Sequence, residues 1–427
     1  MVIGAGLAGM AAAARLAKAG HPVELWEASS TLGGRWAPYP LAGTRVLVDD
    51  LPAVLGFPAP WRDLFRKSGR PMEAELARSG YQLVPAGPTV LTFADRTELT
   101  LPTDRGEQFA VMSRAYGAAV AGRWRDLLDR LDDVWQTLRP LGLERELDPG
   151  LLTPGVRHRL LHRRSVADLA GSLGHPQLSA LVRSVAYRQG SSPERTPALG
   201  AVDLAVARTF GAWQLEPTKP GPALDTGRSS VLVEALAARL ALRKVKIRLS
   251  TEATGILVRD GQVVAIRSAD GEQPTPAVIS TVTPWGLAQL HPPSSVRDRW
   301  HLNRLRPAPG PKITHSLRPE PVSSVSETVA LSTDGVPVVS YLRPAGAASV
   351  HSVHDFAHPA TGPGHGLASR GFGAWWRRPG ISGGTAGLYT AGPFSPAGRN
   401  PSQQILSGAL ASYACHDRLG DAASDRQ

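Results

Sequence analysis

Three glycines near the start of the chain, Gly4, Gly6 and Gly9, have the G-x-G-x-x-G spacing with which a backbone can hold a diphosphate. The first would permit a tight turn, the second would let a phosphate approach the main chain, and the third would let a helix pack closely on a strand. Free N–H groups at the start of that helix would attract the negative charge. Glu27 could accept hydrogen bonds from a ribose hydroxyl. These residues therefore predict a dinucleotide site.

The segments around these residues have the order that such a site requires. A short apolar strand at 1–3 precedes the glycines, an Ala-rich helix at 7–19 follows them, and a second strand at 23–26 leads to Glu27. A Gly-rich turn in some other α/β protein is the disfavoured alternative, because it would not need all of these parts. Only three residues precede Gly4, so either the sequence starts late or the strand is frayed, and no signal peptide is expected.

The residues after Glu27 indicate which nucleotide is bound. Gly33, Gly34 and Arg35 close the run Glu-Ala-Ser-Ser-Thr-Leu-Gly-Gly-Arg. This run resembles the FAD-dependent amine oxidase and phytoene desaturase superfamily, in which E-x5-G-G-R follows the dinucleotide fingerprint. The resemblance implies non-covalent FAD as the cofactor. An oxidoreductase that uses NAD is the alternative, although NAD-only domains do not usually carry the second glycine pair.

Two later segments continue the resemblance. Residues 250–256 and 278–281 are similar to the family's second FAD segment, in which the backbone at Ala253 meets the adenine. Residues 387–392 and a helix at 403–416 are similar to its last segment, in which a strand-end glycine approaches the ribityl-diphosphate and the helix start faces the flavin. The resemblance implies these cofactor-binding residues: Gly4, Ala5, Gly6, Leu7, Ala8, Gly9, Glu27, Ala28, Gly33, Gly34, Arg35, Trp36, Ala253, Gly392, Pro393, Ser402 and Gln403.

Four positions depart from the family pattern. Leu51 replaces a glycine that normally lies near the flavin, and Thr226 stands where paired glycines are usual. Pro393 replaces a common Asp, and Pro401 has no N–H, so the two residues after it would have to supply the donors. The changes at Leu51, Thr226 and Pro393 motivate one alternative, an FAD-binding protein whose catalytic activity has decayed.

The resemblance implies an α/β Rossmann-like FAD-binding domain that is discontinuous in sequence, with a second, α+β substrate domain. The expected boundaries are 1–60, 215–290 and 376–420 for the FAD domain, 61–214 and 291–375 for the substrate domain, and 421–427 for a disordered tail. Apolar residues at 120–138 recur at three- and four-residue steps and predict an amphipathic helix. In the family, such helices cover an apolar substrate tunnel.

Composition and charge limit the partners. The 427 residues suffice for two domains, and the net charge of +11 would favour anionic surfaces. No nucleic-acid motif is present, and no apolar run reaches membrane-spanning length without charges. The basic run at 157–164 is interpreted as a solvated surface, with contact to anionic headgroups as the alternative. We expect a cytoplasmic protein without nucleic acid, with peripheral membrane association left open.

Metal binding and thiol chemistry are not expected. Four histidines lie in one Pro-, Ser- and Gly-rich region: His351, His354, His358 and His365. No carboxylate or cysteine completes a familiar metal spacing with them, and His354 with Asp355 is expected in an active-site wall instead. The single cysteine, Cys415, is interpreted as a buried thiol rather than a flavin attachment point.

The resemblance implies dehydrogenation of an apolar isoprenoid- or carotenoid-type substrate, with hydride transfer to flavin N5. The cofactor carries this chemistry, and the residues show no nucleophile or carboxylate pair, so no catalytic residue is predicted. The first alternative is an amine oxidase, which would want an aromatic pair beside the flavin. Tyr389 and Trp285 are the candidates for that pair.

Overall fold

The structure is a computed structural model that describes residues 1–218, 228–362 and 364–424. Thr226 and the end of the expected tail, 425–427, lie outside the described residues. The strands are β1 Val2–Ile3, β2 Glu24–Trp26, β3 Tyr39–Pro40, β4 Leu47–Val48, β5 Tyr81–Pro85, β6 Thr89–Thr92, β7 Glu98–Leu101, β8 Trp213–Pro217, β9 Lys246–Arg248, β10 Ala253–Arg259, β11 Gln262–Ser268, β12 Gly271–Pro274, β13 Val278–Ser280, β14 Lys312–Arg318, β15 Ser326–Leu331, β16 Pro337–Ala345, β17 Ala348–Asp355 and β18 Leu388–Thr390.

The helices lie between and after these strands along the chain. They are α1 Leu7–Lys18, α2 Ala59–Ser68, α3 Met72–Arg78, α4 Arg105–Tyr116, α5 Ala118–Gly142, α6 Pro154–Arg159, α7 Val166–Gly171, α8 Pro176–Arg188, α9 Val202–Phe210, α10 Val231–Leu242, α11 Pro284–Leu290, α12 Val296–Arg304, α13 Phe372–Trp375 and α14 Pro401–Ser424. The expected tail begins at 421, but α14 continues to Ser424, so that part of the prediction is wrong.

A parallel sheet contains strands from the N-terminal segment, from residues 246–280 and from residues 388–390. Its strand order is β18-β13-β1-β2-β9, and every neighbouring pair is parallel. Helices α10 and α14 both contact α1, whose run from Ala11 to Ala14 is buried. A Cβ at Gly408 of α14 would lie 2.2 Å from the carbonyl oxygen of Ala8, so the two helices pack backbone to backbone. The predicted α/β fold with a mostly parallel sheet is confirmed.

A second, mixed sheet has the strand order β14-β17-β16-β15-β6-β7, in which β15 and β6 are parallel and the other pairs are antiparallel. Its apolar face packs with α5, α7 and α8 in a core that is separate from the core around α1. Helix α5 contains the predicted segment 120–138 and buries the apolar stripe that its periodicity indicated. The positions of the domain boundaries stay predictions.

Candidate cofactor and substrate site

The ends of three parallel strands bring together residues that are distant in sequence. Gly4 follows β1, Glu27 follows β2, and Gly392 lies two residues after β18. Because all of these strands run in the same direction, their carboxyl ends share one edge of the sheet, which is where ligands bind in open α/β folds.

The glycine turn has the geometry that its spacing predicts. Gly4 has a φ of +92°, which favours glycine, and a Cβ at Gly9 would lie 2.0 Å from the Gly4 carbonyl oxygen. A Cβ at Gly6, by contrast, would meet nothing within 4 Å. Helix α1 begins after Gly6 and has no side-chain cap, so its first N–H groups face this open space. The crevice therefore fits a diphosphate.

The second glycine pair lies directly against this turn. Gly33 donates its N–H to the Ala5 carbonyl at 2.9 Å, and both Gly33 and Gly34 have positive φ. A Cβ at Gly34 would lie 3.3 Å from the Gly6 Cα, so a side chain there would crowd the crevice. The run after Glu27 is thus folded back onto the fingerprint, and Arg35 and Trp36 follow in a short 3-10 turn.

Glu27 is held by the main chain at the sheet edge. Its Oε2 accepts the Ala5 N–H at 2.7 Å and its Oε1 accepts the Ser29 N–H at 2.9 Å. Each carboxylate oxygen keeps a second lone pair with which it could accept a ribose hydroxyl. The Thr251 N–H donates to the Glu27 carbonyl at 2.8 Å, so the segment that leads to the buried Ala253 runs beside Glu27 and the exposed Ala28.

The C-terminal segment supplies fewer free donors than expected. Gly392 has a φ of +115°, and its N–H donates to Ser407 Oγ at 2.8 Å. Asn400 and Gln403 form a reciprocal cap at the start of α14: the Gln403 N–H donates to Asn400 Oδ1 at 2.8 Å, and the Asn400 N–H donates to Gln403 Oε1 at 3.2 Å. The Gln403 N–H is therefore occupied, and Ser402 is the residue of this turn that could present its N–H to a cofactor.

The departure at Leu51 does not narrow the site. Its side chain is fully buried in the core around α1, and its N–H donates to Asp49 Oδ1 at 3.1 Å. Arg343 pairs with Asp49 at 3.1 Å and donates to the Leu51 carbonyl at 2.7 Å. This buried network fixes the loop, and the neighbours of Leu51 in sequence, Asp50 and Pro52, line the cavity instead.

A cavity of about 290 Å³ lies beside this crevice and against the mixed sheet, from which Ile313, Val339, Tyr341 and His354 line it. Part of its wall consists of Arg35, Trp36 and Gln403, which adjoin the glycine crevice and the start of α14. Another part is apolar and belongs to a third core cluster, which contains these lining residues: Trp135, Leu138, Leu143, Leu199, Val202 and Trp375. The cavity thus joins the nucleotide side of the molecule to a pocket suited to an apolar ligand.

Several titratable groups face this cavity, and burial perturbs them. Burial raises the pKa of Asp203, in the first turn of α9, to about 6. Burial, and to a lesser extent Arg343, lowers the pKa of His354 to about 3. His365 also has a pKa of about 3, because of burial and the nearby Arg35 and Arg399. A perturbed acid in a cleft marks a candidate catalytic group, and the sequence alone did not single out Asp203.

The structure separates the residues proposed from sequence for the active-site wall. His354 lines the cavity, whereas Asp355 bonds to the exposed His358 and does not line it. Tyr389 is buried in the parallel sheet, and Trp285 packs on Phe394, so neither lines the cavity. The aromatic lining residues are others: Trp36, Trp135, Tyr341, Phe356 and Trp375. The aromatic pair that the sequence offers for an amine oxidase therefore does not line this cavity.

Comparison with known proteins gives the class of this fold. Residues 2–67 match the NAD(P)-binding Rossmann-like domain. The chain is 29% identical over 284 residues to hydroxyneurosporene desaturase of Cereibacter sphaeroides, an alignment that covers 64% of this chain and 53% of that protein. It is 30% identical over 215 residues to the zeta-carotene-forming phytoene desaturase of Myxococcus xanthus, covering 47% and 38%. The chain thus spans about half the length of the first of these curated relatives and less than half of the second.

Solved structures support the fold over nearly the whole chain. An oxidoreductase from Methanosarcina mazei has a TM-score of 0.67 at 16% identity, covering 96% of this chain and 98% of that one. Putrescine oxidase has a TM-score of 0.64 at 14% identity, with 98% of each chain covered. Cyclohexylamine oxidase from Brevibacterium oxydans also has a TM-score of 0.64, at 15% identity and with 98% of each chain covered. The predicted resemblance to the amine oxidase and phytoene desaturase superfamily is confirmed, and the sequence relatives above are desaturases.

Proposed function

We propose that this chain is an FAD-dependent oxidoreductase that dehydrogenates an apolar, isoprenoid- or carotenoid-type substrate. The cavity carries the proposal, because it joins the glycine crevice to a wall of leucine and tryptophan side chains. The similarity to carotenoid desaturases favours this chemistry over amine oxidation.

The crevice fits FAD at its diphosphate end. The open face of Gly6 and the uncapped start of α1 would hold the diphosphate, and Glu27 would hold a ribose hydroxyl. Arg35 and Trp36 would lie at the flavin end, where the cavity begins. When bound, FAD supplies the hydride acceptor at N5. The binding is proposed to be non-covalent, since Cys415 is buried in the core around α1.

Dehydrogenation of a C–C bond releases a proton as well as a hydride, and Asp203 is the proposed proton acceptor. It lines the cavity beside Leu199 and Val202, and burial raises its pKa to about 6, close to the value that suits a general base. The side chain of Gln189 orients it through a long hydrogen bond of 3.4 Å. The apolar wall would align the substrate and exclude water from this step.

The test is anaerobic mixing of the FAD-loaded protein with detergent-solubilised phytoene and, separately, with putrescine. The proposal predicts that phytoene bleaches the flavin absorbance and that Asp203→Asn slows the bleaching at least tenfold without loss of FAD. Bleaching by the amine alone, with peroxide release in air, would favour an amine oxidase. A flavin that neither substrate reduces would favour a decayed enzyme. A protein that binds NAD and not FAD would contradict the cofactor.

A peripheral contact with a membrane is proposed as the route by which an apolar substrate arrives. No helix of the described residues is both long and apolar enough to cross a bilayer. Helix α12 buries none of its residues, and its Val296 and Trp300 are 74% and 47% exposed among several arginines. Exposed aromatic and basic side chains together suit an anionic lipid surface.

Sedimentation with vesicles tests this contact. Wild-type protein should sediment with anionic vesicles and not with neutral ones, and Trp300→Ala should weaken sedimentation. Phe109→Ala is the matched control, because Phe109 is also exposed, at 38%, but lies on α4. Equal loss in the two variants, or no sedimentation at low salt, would contradict the contact.

A further inference from the structure

The cavity carries more positive charge than an apolar substrate needs. Its lining includes four arginines, Arg35, Arg188, Arg378 and Arg399, and two aspartates, Asp50 and Asp203. Among the ion pairs recorded for residues 1–218, 228–362 and 364–424, none includes any of these four arginines. The four side chains are half-buried, and arginines that are withdrawn from water are ordinarily paired, so this wall has positive charge that the described protein groups do not neutralise.

Arg399 shows the lack of a partner most directly. Its Nη1 is buried and has no hydrogen-bond partner among the described residues, while its Nη2 donates to the Pro309 carbonyl at 3.3 Å. A Cβ at Gly190, which has a positive φ, would lie 2.5 Å from that Nη1, so the backbone of Gly190 leaves just enough room for the guanidinium. A buried N–H group without a partner is unfavourable unless a ligand supplies the acceptor.

Arg378 brings a second guanidinium to the apolar part of the wall. It follows α13, whose Trp375 packs in the same core cluster as Trp135 and Leu138. Its hydrogen bond to the Leu367 carbonyl is long, at 3.4 Å. Burial lowers the pKa of Arg378 to about 10 and, together with Arg35 and Arg378, that of Arg399 to about 9. Both side chains therefore stay cationic at neutral pH.

The cofactor accounts for one of these arginines but not for the pair. Arg35 directly follows the glycines that pack on the fingerprint turn, so it is placed to serve FAD. Arg378 adjoins the leucine and tryptophan wall, where the substrate is proposed to lie. Arg188 adjoins Asp203 in the cavity, where its charge is partly balanced. Arg399 lies near Arg35, but its Nη1 is at Gly190, next in sequence to the Gln189 that donates to Asp203, so Arg399 and Arg378 are the two cations assigned to the substrate.

We propose that Arg378 and Arg399 bind an oxyanion, a carboxylate or a phosphate, at one end of an otherwise apolar substrate. The preferred substrate is then an isoprenoid with one acidic end group, and phytoene, which lacks that group, would reduce the flavin more slowly than such an acid. This inference rests on the proposed function for the apolar part of the cavity, and it adds the group that orients the chain before the flavin. A planar guanidinium pair can hold either oxyanion through charge-assisted hydrogen bonds.

Binding of three matched ligands to FAD-loaded protein tests the proposal: farnesoic acid, farnesyl monophosphate and methyl farnesoate. At least one anion should bind tenfold or more tightly than the neutral ester, as expected for a hydrogen-bonded charge. The affinities for farnesoic acid and for farnesyl monophosphate show whether a carboxylate or a phosphate is preferred. Equal affinity for all three ligands would overturn the proposal, and this comparison requires no variant.

Variants of Arg378 and Arg399 then test whether these two side chains cause the preference for the anion. Arg378→Gln and Arg399→Gln should lose the preference for the anion while keeping affinity for the ester, and Arg378→Lys should keep part of it. Arg377→Gln is the matched control, because Arg377 is the exposed neighbour in sequence. Equal loss in the control, or loss of FAD from the glutamine variants instead of loss of anion preference, would overturn the proposal. A preference for the anion without flavin reduction would leave it standing while the proposed function fails.

Discussion

Alanine at Gly6 and alanine at Gly9 should separate cofactor binding from fold stability. Gly6 has a φ of −70° and a ψ of 177°, which alanine adopts freely, and its Cβ would meet no protein atom within 4 Å. At Gly9 the Cβ would lie 2.0 Å from the Gly4 carbonyl oxygen, a backbone atom that cannot move without opening the β1–α1 turn. Gly9→Ala should therefore destabilise the apoprotein, whereas Gly6→Ala should weaken only the binding of FAD.

The sizes of these effects follow from the structure and the chain length. Overpacking at Gly9 should cost about 3 kcal/mol or more. An unfolding entropy of ~0.9 kcal/mol/K, scaled to this chain length, converts that cost to a Tm lowered by about 3 °C or more. Gly6→Ala should change the Tm of the apoprotein by about 1 °C at most, because a glycine-to-alanine change at an N-cap costs up to about 1 kcal/mol. FAD at 100 times Kd should stabilise wild type by about 2.7 kcal/mol, or ~3 °C.

Thermal melts with and without FAD measure both quantities. At a fixed FAD concentration, a tenfold weaker Kd in Gly6→Ala would reduce the stabilisation by FAD to about 1.4 kcal/mol, half the wild-type shift. Gly122→Ala is the control, because Gly122 lies in α5 with nothing within 4 Å of its Cβ. The reasoning is refuted if Gly6→Ala keeps the full FAD shift, or if its apoprotein melts as low as Gly9→Ala.

Three further predictions concern buried groups. Asp203→Asn should raise the free energy of unfolding, measured with urea at pH 8, by at most about 3 kcal/mol, because burial raises the pKa of Asp203 to about 6 and its ionisation then opposes folding. The gain should vanish below pH ~4, where the carboxyl group is protonated in the unfolded chain too. A gain that persists below pH ~4 would contradict this cause. Arg343→Met should cost about 3–5 kcal/mol by leaving Asp49 charged and buried, against less than about 1 kcal/mol for Arg267→Met, which breaks an exposed pair. Similar losses of stability in Arg343→Met and Arg267→Met would argue against a stabilising role of the buried Asp49–Arg343 pair. Cys415 should react with thiol reagents only as the protein unfolds, because it is buried and its pKa is raised to about 11; rapid labelling of native protein would disprove this.

The sequence predicted the glycine turn because local geometry restricts residue type there. Gly4 needs a positive φ, and Gly9 has no space for a side chain, so the spacing of the glycines is itself a structural signal. The cap formed by Asn400 and Gln403 is also visible in the sequence as a polar pair three residues apart, but the resemblance directed attention to the N–H groups of Ser402 and Gln403 as donors to flavin.

The substrate side could not be predicted in the same way. Arg378 and Arg399 lie in separate loops and meet only through tertiary packing, so no spacing indicates their proximity. Tyr389 was a reasonable aromatic candidate, but it sits in a parallel strand whose two faces are both covered, which removes it from the cavity. The sequence does not show whether the Leu51 side chain points into the site or into the core. The hydrogen bonds from Arg343 to Asp49 and to the Leu51 carbonyl fix the loop with that side chain in the core.

A crystal structure of the protein grown with FAD tests the central claim most directly. We expect the diphosphate against Gly6 and the start of α1, and the isoalloxazine ring at the mouth of the cavity beside Trp36 and Gln403. An empty crevice at saturating FAD, or a ring that points away from the apolar wall, would contradict it.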